Sequence, residues 1–219
     1  MFKKIMITYK KSDIRMNNYN NLKKKIKDLE CFSAYDSINF YTACKIENKK
    51  YNLCSEKYVE DCELKLKGKL GCNMSHLLIL KNFINENKYD WLLVLEDDIS
   101  INKYNDNIIK LLIEKVQTYN SNFIKLYVNP KLIHKQILTD RKEANIYQMI
   151  NQLDANAYLI NKAGAEYIIS KTPIDIDIDL FYSTNIKELN ALTFINNIFI
   201  NLGTLEDFGS LILDIKSKL

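Results

Sequence analysis

Residues Trp91-Leu-Leu-Val-Leu95 form an unbroken apolar run that stops abruptly at Glu96-Asp97-Asp98. The run is too short for a core helix and shows no polar alternation, so it reads as a central strand covered on both faces. Three successive carboxylates are costly to bury without partners. At the carboxyl end of a central strand they either turn in solvent, with Asp98 or Ser100 as a helix cap, or line the crevice where open α/β sheets take their ligands. Alternate side chains of an extended segment share a side. Glu96 and Asp98 can therefore reach one point, while Asp97 points away or bonds to backbone. Two oxygen donors so placed suit Mg²⁺ or Mn²⁺. Spacing alone leaves sugar transfer, nucleotidyl transfer and metal-assisted hydrolysis open.

The pattern around this run alternates strand and helix. Ile5 to Tyr9 reads as a first strand, Ile14 to Leu29 as a helix capped by Asp13, and Glu30 to Tyr35 as a second strand. Residues 45–70 are lysine-rich and weakly patterned, which predicts loop and short helix. Leu77, Leu78, Leu80, Phe83 and Ile84 give Ser75 to Glu86 an apolar stripe, with Asn73 or Ser75 where a cap belongs. Asn107 to Tyr119 and Lys162 to Ser170 predict helices, Asn122 to Val128 and Ala157 to Ile160 strands, and the last forty residues short strands and turns. The alternation predicts an α/β sandwich with a largely parallel sheet.

Composition narrows the function. The 219 residues include only five glycines and no Gly-rich loop, which excludes a P-loop and a GxGxxG fingerprint. A net charge of +4 is carried almost wholly by lysine, interleaved with acids, and the only arginines are Arg15 and Arg141. That is a solvated surface rather than a nucleic-acid footprint. Five cysteines without a CxxC, and only His76 and His134 as histidines, argue against zinc and for reduced thiols, with Cys72 as core packing. No window is apolar enough to span a bilayer, and the lysine-broken start is not a signal peptide, so the expected location is cytoplasmic.

Six pieces then occur in order: Ile7-Thr-Tyr-Lys-Lys-Ser-Asp-Ile-Arg15, Phe32-Ser-Ala-Tyr-Asp36, Gly71-Cys-Asn-Met-Ser-His76, Val94-Leu-Glu-Asp-Asp98, Ala157-Tyr-Leu-Ile160 with Gly164-Ala165, and Pro173-Ile-Asp175 through Asp177 and Asp179. Together they resemble glycosyltransferase family 25, the lipopolysaccharide and procollagen galactosyltransferase group, over roughly residues 5–182. The chain departs from the family pattern at Lys69, where the family carries an acid, at Asp36-Ser37, where it carries Asp-Gly, and over Asn201 to Ser210.

The resemblance implies a single GT-A type, Rossmann-like domain over 1–219, its sheet mixed and mostly parallel and flanked by helices. Residues 1–130 would form the nucleotide-sugar half and 131–219 the acceptor side. It implies an inverting, Mn²⁺- or Mg²⁺-dependent hexosyltransferase moving galactose from a UDP-sugar to a hydroxyl of a glycan, lipid-linked glycan or protein. The alternative is a non-catalytic nucleotide-sugar or carbohydrate binder of the same fold. Glu96 and Asp98 would hold the metal. The base would be Asp177, then Asp179 or Asp175, with Glu206 and Asp207 as further candidates. Thr8, Tyr9, Arg15, Ala34, Asp36, Ser75, His76 and Asp97 would contact the donor: Tyr9 by stacking on uracil, Arg15 through phosphate or by pairing with Asp36, and Ser75 and His76 from a helix N-terminus facing the diphosphate. His134 follows no motif. A lipid-linked acceptor implies peripheral contact with the inner leaflet of the membrane.

Overall fold

The computed structural model describes residues 1–86, 88–128, 141–143, 145–149 and 154–202. His134, Glu206 and Asp207 lie outside them. The strands are β1 (Phe2–Thr8), β2 (Glu30–Ser33), β3 (Trp91–Glu96), β4 (Ile99–Ile101), β5 (Phe123–Lys125), β6 (Arg141–Glu143), β7 (Ile146–Gln148), β8 (Ala157–Asn161), β9 (Leu192–Phe194) and β10 (Phe199–Asn201). The helices are α1 (Asp13–Lys25), α2 (Tyr41–Tyr51), α3 (Glu56–Lys65), α4 (Lys67–Asn85), α5 (Asp106–Thr118), α6 (Lys162–Ser170) and α7 (Ile178–Thr184).

Eight strands form one sheet in the order β2-β1-β3-β8-β5-β9-β7-β6, and β4 pairs with β10 in a separate ribbon. The sheet is mixed. β1 is parallel to β2 and β3, and β9 to β5, whereas β8 runs antiparallel to β3 and β5, and β7 to β9 and β6. Relative to β1, only β8 and β7 are therefore reversed. β8 comes from the second half of the chain yet lies between two strands of the first. Its start at Ala157 therefore sits beside Leu95, at the carboxyl end of β3.

Strand parity divides the core. Leu92, Val94, Ile5, Ile7, Tyr158 and Ile160 pack on one face with Leu77, Leu80 and Phe83 of α4. Trp91, Leu93, Leu95, Met6, Ala157 and Leu159 pack on the other with Leu22 of α1 and Ile109, Leu112 and Val116 of α5. Residues 92–95 have no exposed surface, which is the two-faced burial their sequence demands.

Local details depart from the sequence pattern. Ser12, not Asp13, caps α1: its side chain accepts from the Arg15 amide, and Asp13 becomes the acid of the first turn. The segment expected as loop holds α2, α3 and the start of α4. α4 begins eight residues before Ser75, so Ser75 and His76 lie in mid-helix and offer no free N-terminal amides.

Tertiary packing holds that early turn. A Cβ on Gly71 would overlap the Tyr35 carbonyl oxygen and lie 2.7 Å from Ser37 Oγ. The Gly71 amide donates to Ser37 Oγ at 2.8 Å, Ser37 donates to the Lys67 carbonyl, and Ser75 Oγ accepts from the Tyr35 amide at 3.0 Å. α4 is thus pressed flat against the loop following β2.

Candidate functional site

The carboxyl ends of β1 and β3 open into a cavity lined by Tyr9, Arg15, Ala34, Asp36, Ser75, His76, Glu96, Asp97 and Asp98. The structure therefore brings together all but one of the residues expected around the donor and metal. The exception is Thr8. It is fully buried and its hydroxyl bonds the Met6 carbonyl at 3.5 Å, because its parity turns it toward the α1 face.

The same parity separates the three carboxylates. Glu96 continues the Leu92–Val94 face and meets α4, where His76 Nε2 lies 3.0 Å from its Oε1. Asp97 faces α1. It accepts the Tyr9 amide at 2.6 Å and pairs with Arg15. Asn18 Nδ2 donates to the carbonyls of Asp97 (3.0 Å) and Ile99 (2.7 Å), which fixes the turn after β3. Arg15 thus pairs with Asp97 and not with Asp36. Asp36 instead accepts from Tyr9 Oη (3.0 Å) and Lys11 (3.2 Å) and caps the Asn39 amide (3.0 Å). Burial works against its charge, but the bonds from Asn39, Lys11 and Tyr9 outweigh it and bring its pKa below the ordinary value.

Asp98 differs from its neighbours. Its Oδ1 is buried and has no hydrogen-bond partner among the described residues. Burial and the adjacent Glu96 raise its pKa to about 7, against the opposing pull of Arg15 and of the Asn156 side chain on the carboxylate. Burial, with Asp179, Asp97 and Asp154 adding negative potential, raises that of Glu96 to about 8. Two adjacent acids, the charge of Glu96 opposing ionisation of Asp98 and one Asp98 oxygen lacking a partner among the described residues, are a donor set a hard divalent cation would satisfy.

His76 is buried, which disfavours its charged form against the raising influence of Asp179. The neutral ring accepts at Nδ1 from Tyr158 Oη (2.9 Å), which accepts in turn from Tyr182 Oη (3.1 Å), and it donates from Nε2 to Glu96. The expected helix-terminus role is corrected: His76 acts from mid-helix on Glu96.

The three candidate bases are spread apart. Asp175 is exposed. Asp177 accepts from Tyr58 Oη at 2.7 Å and pairs with Lys69, in a depression on the α3 side that Asp175 also lines. Lys69, where the family pattern carries an acid, is therefore the counter-ion of Asp177. Asp179 turns inward: burial first, then Asp154 and Asp177, raise its pKa, while His76 opposes them. Asn73 sets this segment, donating to the Ile176 carbonyl and accepting the Ile178 amide, both at 2.9 Å.

Two members of the site have no motif in the sequence. Asp154 precedes β8, and its charge acts on Glu96, Asp179 and Lys125. Lys125 ends β5, buried, and burial lowers its pKa to about 8 despite Asp154, Asp179 and Glu96. A lysine closing an apolar strand was the available signal.

The family model described as glycosyltransferase family 25, LPS biosynthesis protein, matches residues 1–182. The chain belongs to this family. It is a glycosyltransferase by that membership, and the matched span contains every site residue described above. No curated protein matches. Among solved structures, A197 from STIV is similar over 89% of this chain and 81% of its own, at 11% identity and a TM-score of 0.52, a likeness of fold. An apo UDP-glucose pyrophosphorylase aligns over 100% and 99%, at 11% identity and a TM-score of 0.48. No described helix is long and apolar enough to cross a membrane.

Proposed function

We propose that this family 25 chain is an inverting hexosyltransferase of GT-A type, transferring galactose from a UDP-sugar to a hydroxyl of a glycan or lipid-linked glycan. The observation that carries the reading is the buried Asp98 Oδ1, without a hydrogen-bond partner among the described residues, beside Glu96 in a cavity at the carboxyl ends of β1 and β3. The donor set fits Mn²⁺ or Mg²⁺, with Asp98 and Glu96 as the holding residues. When bound, the ion supplies neutralisation of the charge that grows on the leaving diphosphate.

The chain's own residues account for the rest. Tyr9 and Asp36, which line the same cavity, present a ring face and a charged acceptor to the uridine. Arg15, tied to Asp97, lines the same wall toward the phosphates. His76 fixes Glu96 through Oε1. For the acceptor, Asp179 is the base we favour over Asp177, whose carboxylate is engaged by Lys69 and Tyr58, and over exposed Asp175. Asp179 takes the hydroxyl proton as that oxygen bonds to the sugar C1, and the electron pair of the breaking C1–O bond leaves with the diphosphate. Residues 1–219 act as one domain in this reading, since β8 joins its two halves in one sheet, and a cytoplasmic enzyme docking on the inner leaflet would meet a lipid-linked acceptor.

The test is thermal stabilisation by UDP-sugars with and without Mn²⁺, in wild type and Asp98→Asn. A ligand that binds only the folded state raises apparent stability by about 2.7 kcal/mol at a hundredfold excess over Kd. Metal-dependent stabilisation by UDP-galactose, lost in the variant, supports the reading; no stabilisation by any UDP-sugar with Mn²⁺ refutes it.

A further inference from the structure

Cys72 and His76 stand one turn apart on the same face of α4, and Glu96 meets them from the end of β3. His76 Nε2 lies 3.0 Å and Cys72 Sγ 4.0 Å from Glu96 Oε1, and one ligand atom from each residue falls within 4.8 Å of the others. Around a tetrahedral Zn²⁺, bond lengths of about 2.0–2.3 Å put such atoms about 3.3–3.7 Å apart. The two separations from Glu96 Oε1 bracket that range, and the third, within 4.8 Å, closes by a side-chain shift of about 1 Å or less. All three residues line the same cavity, so an ion held by them would be reached from it.

Helix α4 is anchored by Gly71 and Ser75 against the Tyr35–Ser37 loop, so the spacing belongs to a rigid element. An oxygen acceptor for the other ring nitrogen is already in place, since Tyr158 Oη lies 2.9 Å from His76 Nδ1. Both ring nitrogens already have oxygen partners, Tyr158 and Glu96, so the imidazole is not held as a base for the thiol.

We propose that Cys72, His76 and Glu96 form a binding site for a soft divalent ion, Zn²⁺ in the first place, distinct in its donors from the all-oxygen pair Glu96 and Asp98. Thiolate and imidazole select for zinc over the hard ions that suit two carboxylates. On binding, the Cys72 thiol releases its proton to solvent and a Zn–S bond forms. The His76 ring stays neutral, its proton passing from Nε2 to Nδ1, where it is donated to Tyr158 Oη, and the Tyr158 hydroxyl proton turns from the ring to Tyr182 Oη. Because Glu96 belongs to both sets, zinc would withdraw it from the donor side and inhibit transfer. That last consequence alone rests on the transferase reading.

The experiment is a Co²⁺ titration of the reduced, nucleotide-free protein, in which a bond to thiolate gives an intense near-ultraviolet charge-transfer band. The expected band saturates at one equivalent, is displaced by Zn²⁺, disappears in Cys72→Ser and persists in Asp98→Asn. No band in wild type, or a band that survives Cys72→Ser, overturns the site. Should Cys72→Ser fail to fold, ¹⁵N-histidine spectra of the wild type decide, with His134→Gln giving the assignment. Zn²⁺ must move the His76 ring proton from Nε2 to Nδ1, and an unchanged tautomer at saturating Zn²⁺ overturns the proposal. The cobalt result is independent of UDP-sugar binding, so this site and the transferase reading fail separately.

Discussion

Replacing Gly71 by alanine sets two effects of opposite sign against each other. Within a helix, Gly→Ala is expected to stabilise by about 1 kcal/mol, from backbone entropy and better propensity. Here the new Cβ overlaps the Tyr35 carbonyl oxygen and crowds Ser37 Oγ. Backbone cannot give way as a flexible side chain does, so α4 must lift off the loop after β2. Overpacking of this kind costs about 1–3 kcal/mol. Lifting also breaks the Gly71–Ser37 and Ser75–Tyr35 hydrogen bonds, each worth about 1 kcal/mol. The clash and the lost bonds together outweigh the propensity gain by about 2–4 kcal/mol net. At about 2–4 °C per kcal/mol for a chain of this size, Tm should fall by about 4–16 °C. The assay is two-state denaturation of both proteins without ligand, by heat and by urea. A Gly71→Ala protein as stable as wild type, or more so, would refute the close docking of α4 and the account of the cavity wall it supports.

The remaining expectations concern the acids and their supports. In metal-free protein, Glu96 and Asp98 have folded pKa values raised to about 8 and about 7, so their contribution is fullest at low pH and is lost as pH climbs from about 4 through those values. Asp98→Asn should therefore flatten the decline of Tm between pH 4 and 8 and raise Tm at pH 8; an unchanged slope counts against the burial described. Asn73→Ala frees the Ile176 carbonyl and the Ile178 amide and should cost about 1–3 kcal/mol in urea denaturation. It should also lower kcat more than it raises the KM for donor, because it loosens Asp179 and not the uridine wall. Asp106→Asn removes the negative charge beside buried Lys4, leaving it neutral partners such as the Lys27 carbonyl at 2.8 Å, and should cost about 1–2 kcal/mol, less at acid pH where Asp106 is already protonated.

Much of the site was legible because its residues sit beside strong local signals. The apolar run before Glu96 fixed a two-faced strand, and alternation alone assigned Glu96 and Asp97 to opposite sides. The start of α4 was not legible. Gly71 and Asn73 both disfavour a helix interior, and their cost is offset by contacts distant in sequence, Gly71 on the Tyr35–Ser37 loop and Asn73 on the Ile176–Ile178 segment. Asp154 was missed for a topological reason. In a parallel sheet the start of a strand lies at the end away from the ligand crevice, but β8 runs antiparallel to β3 and so brings its leading residues to the crevice. Thr8 was misjudged in the opposite way: its place at the end of a strand was counted, its parity was not.

The insertion of β8 between β3 and β5 also bears on how the molecule is made. A nascent chain that has reached Lys125 has made β1, β2, β3 and β5, yet β3 still has one naked edge and β5 has neither neighbour. Unpaired central edges of this kind are sticky templates for other chains. The ribosome must add Ala157–Asn161 before the middle of the sheet can close, and Leu192–Phe194 before β5 is flanked on both sides. Folding is thus deferred to late in synthesis, and premature truncation in this interval should yield aggregates rather than a smaller soluble unit.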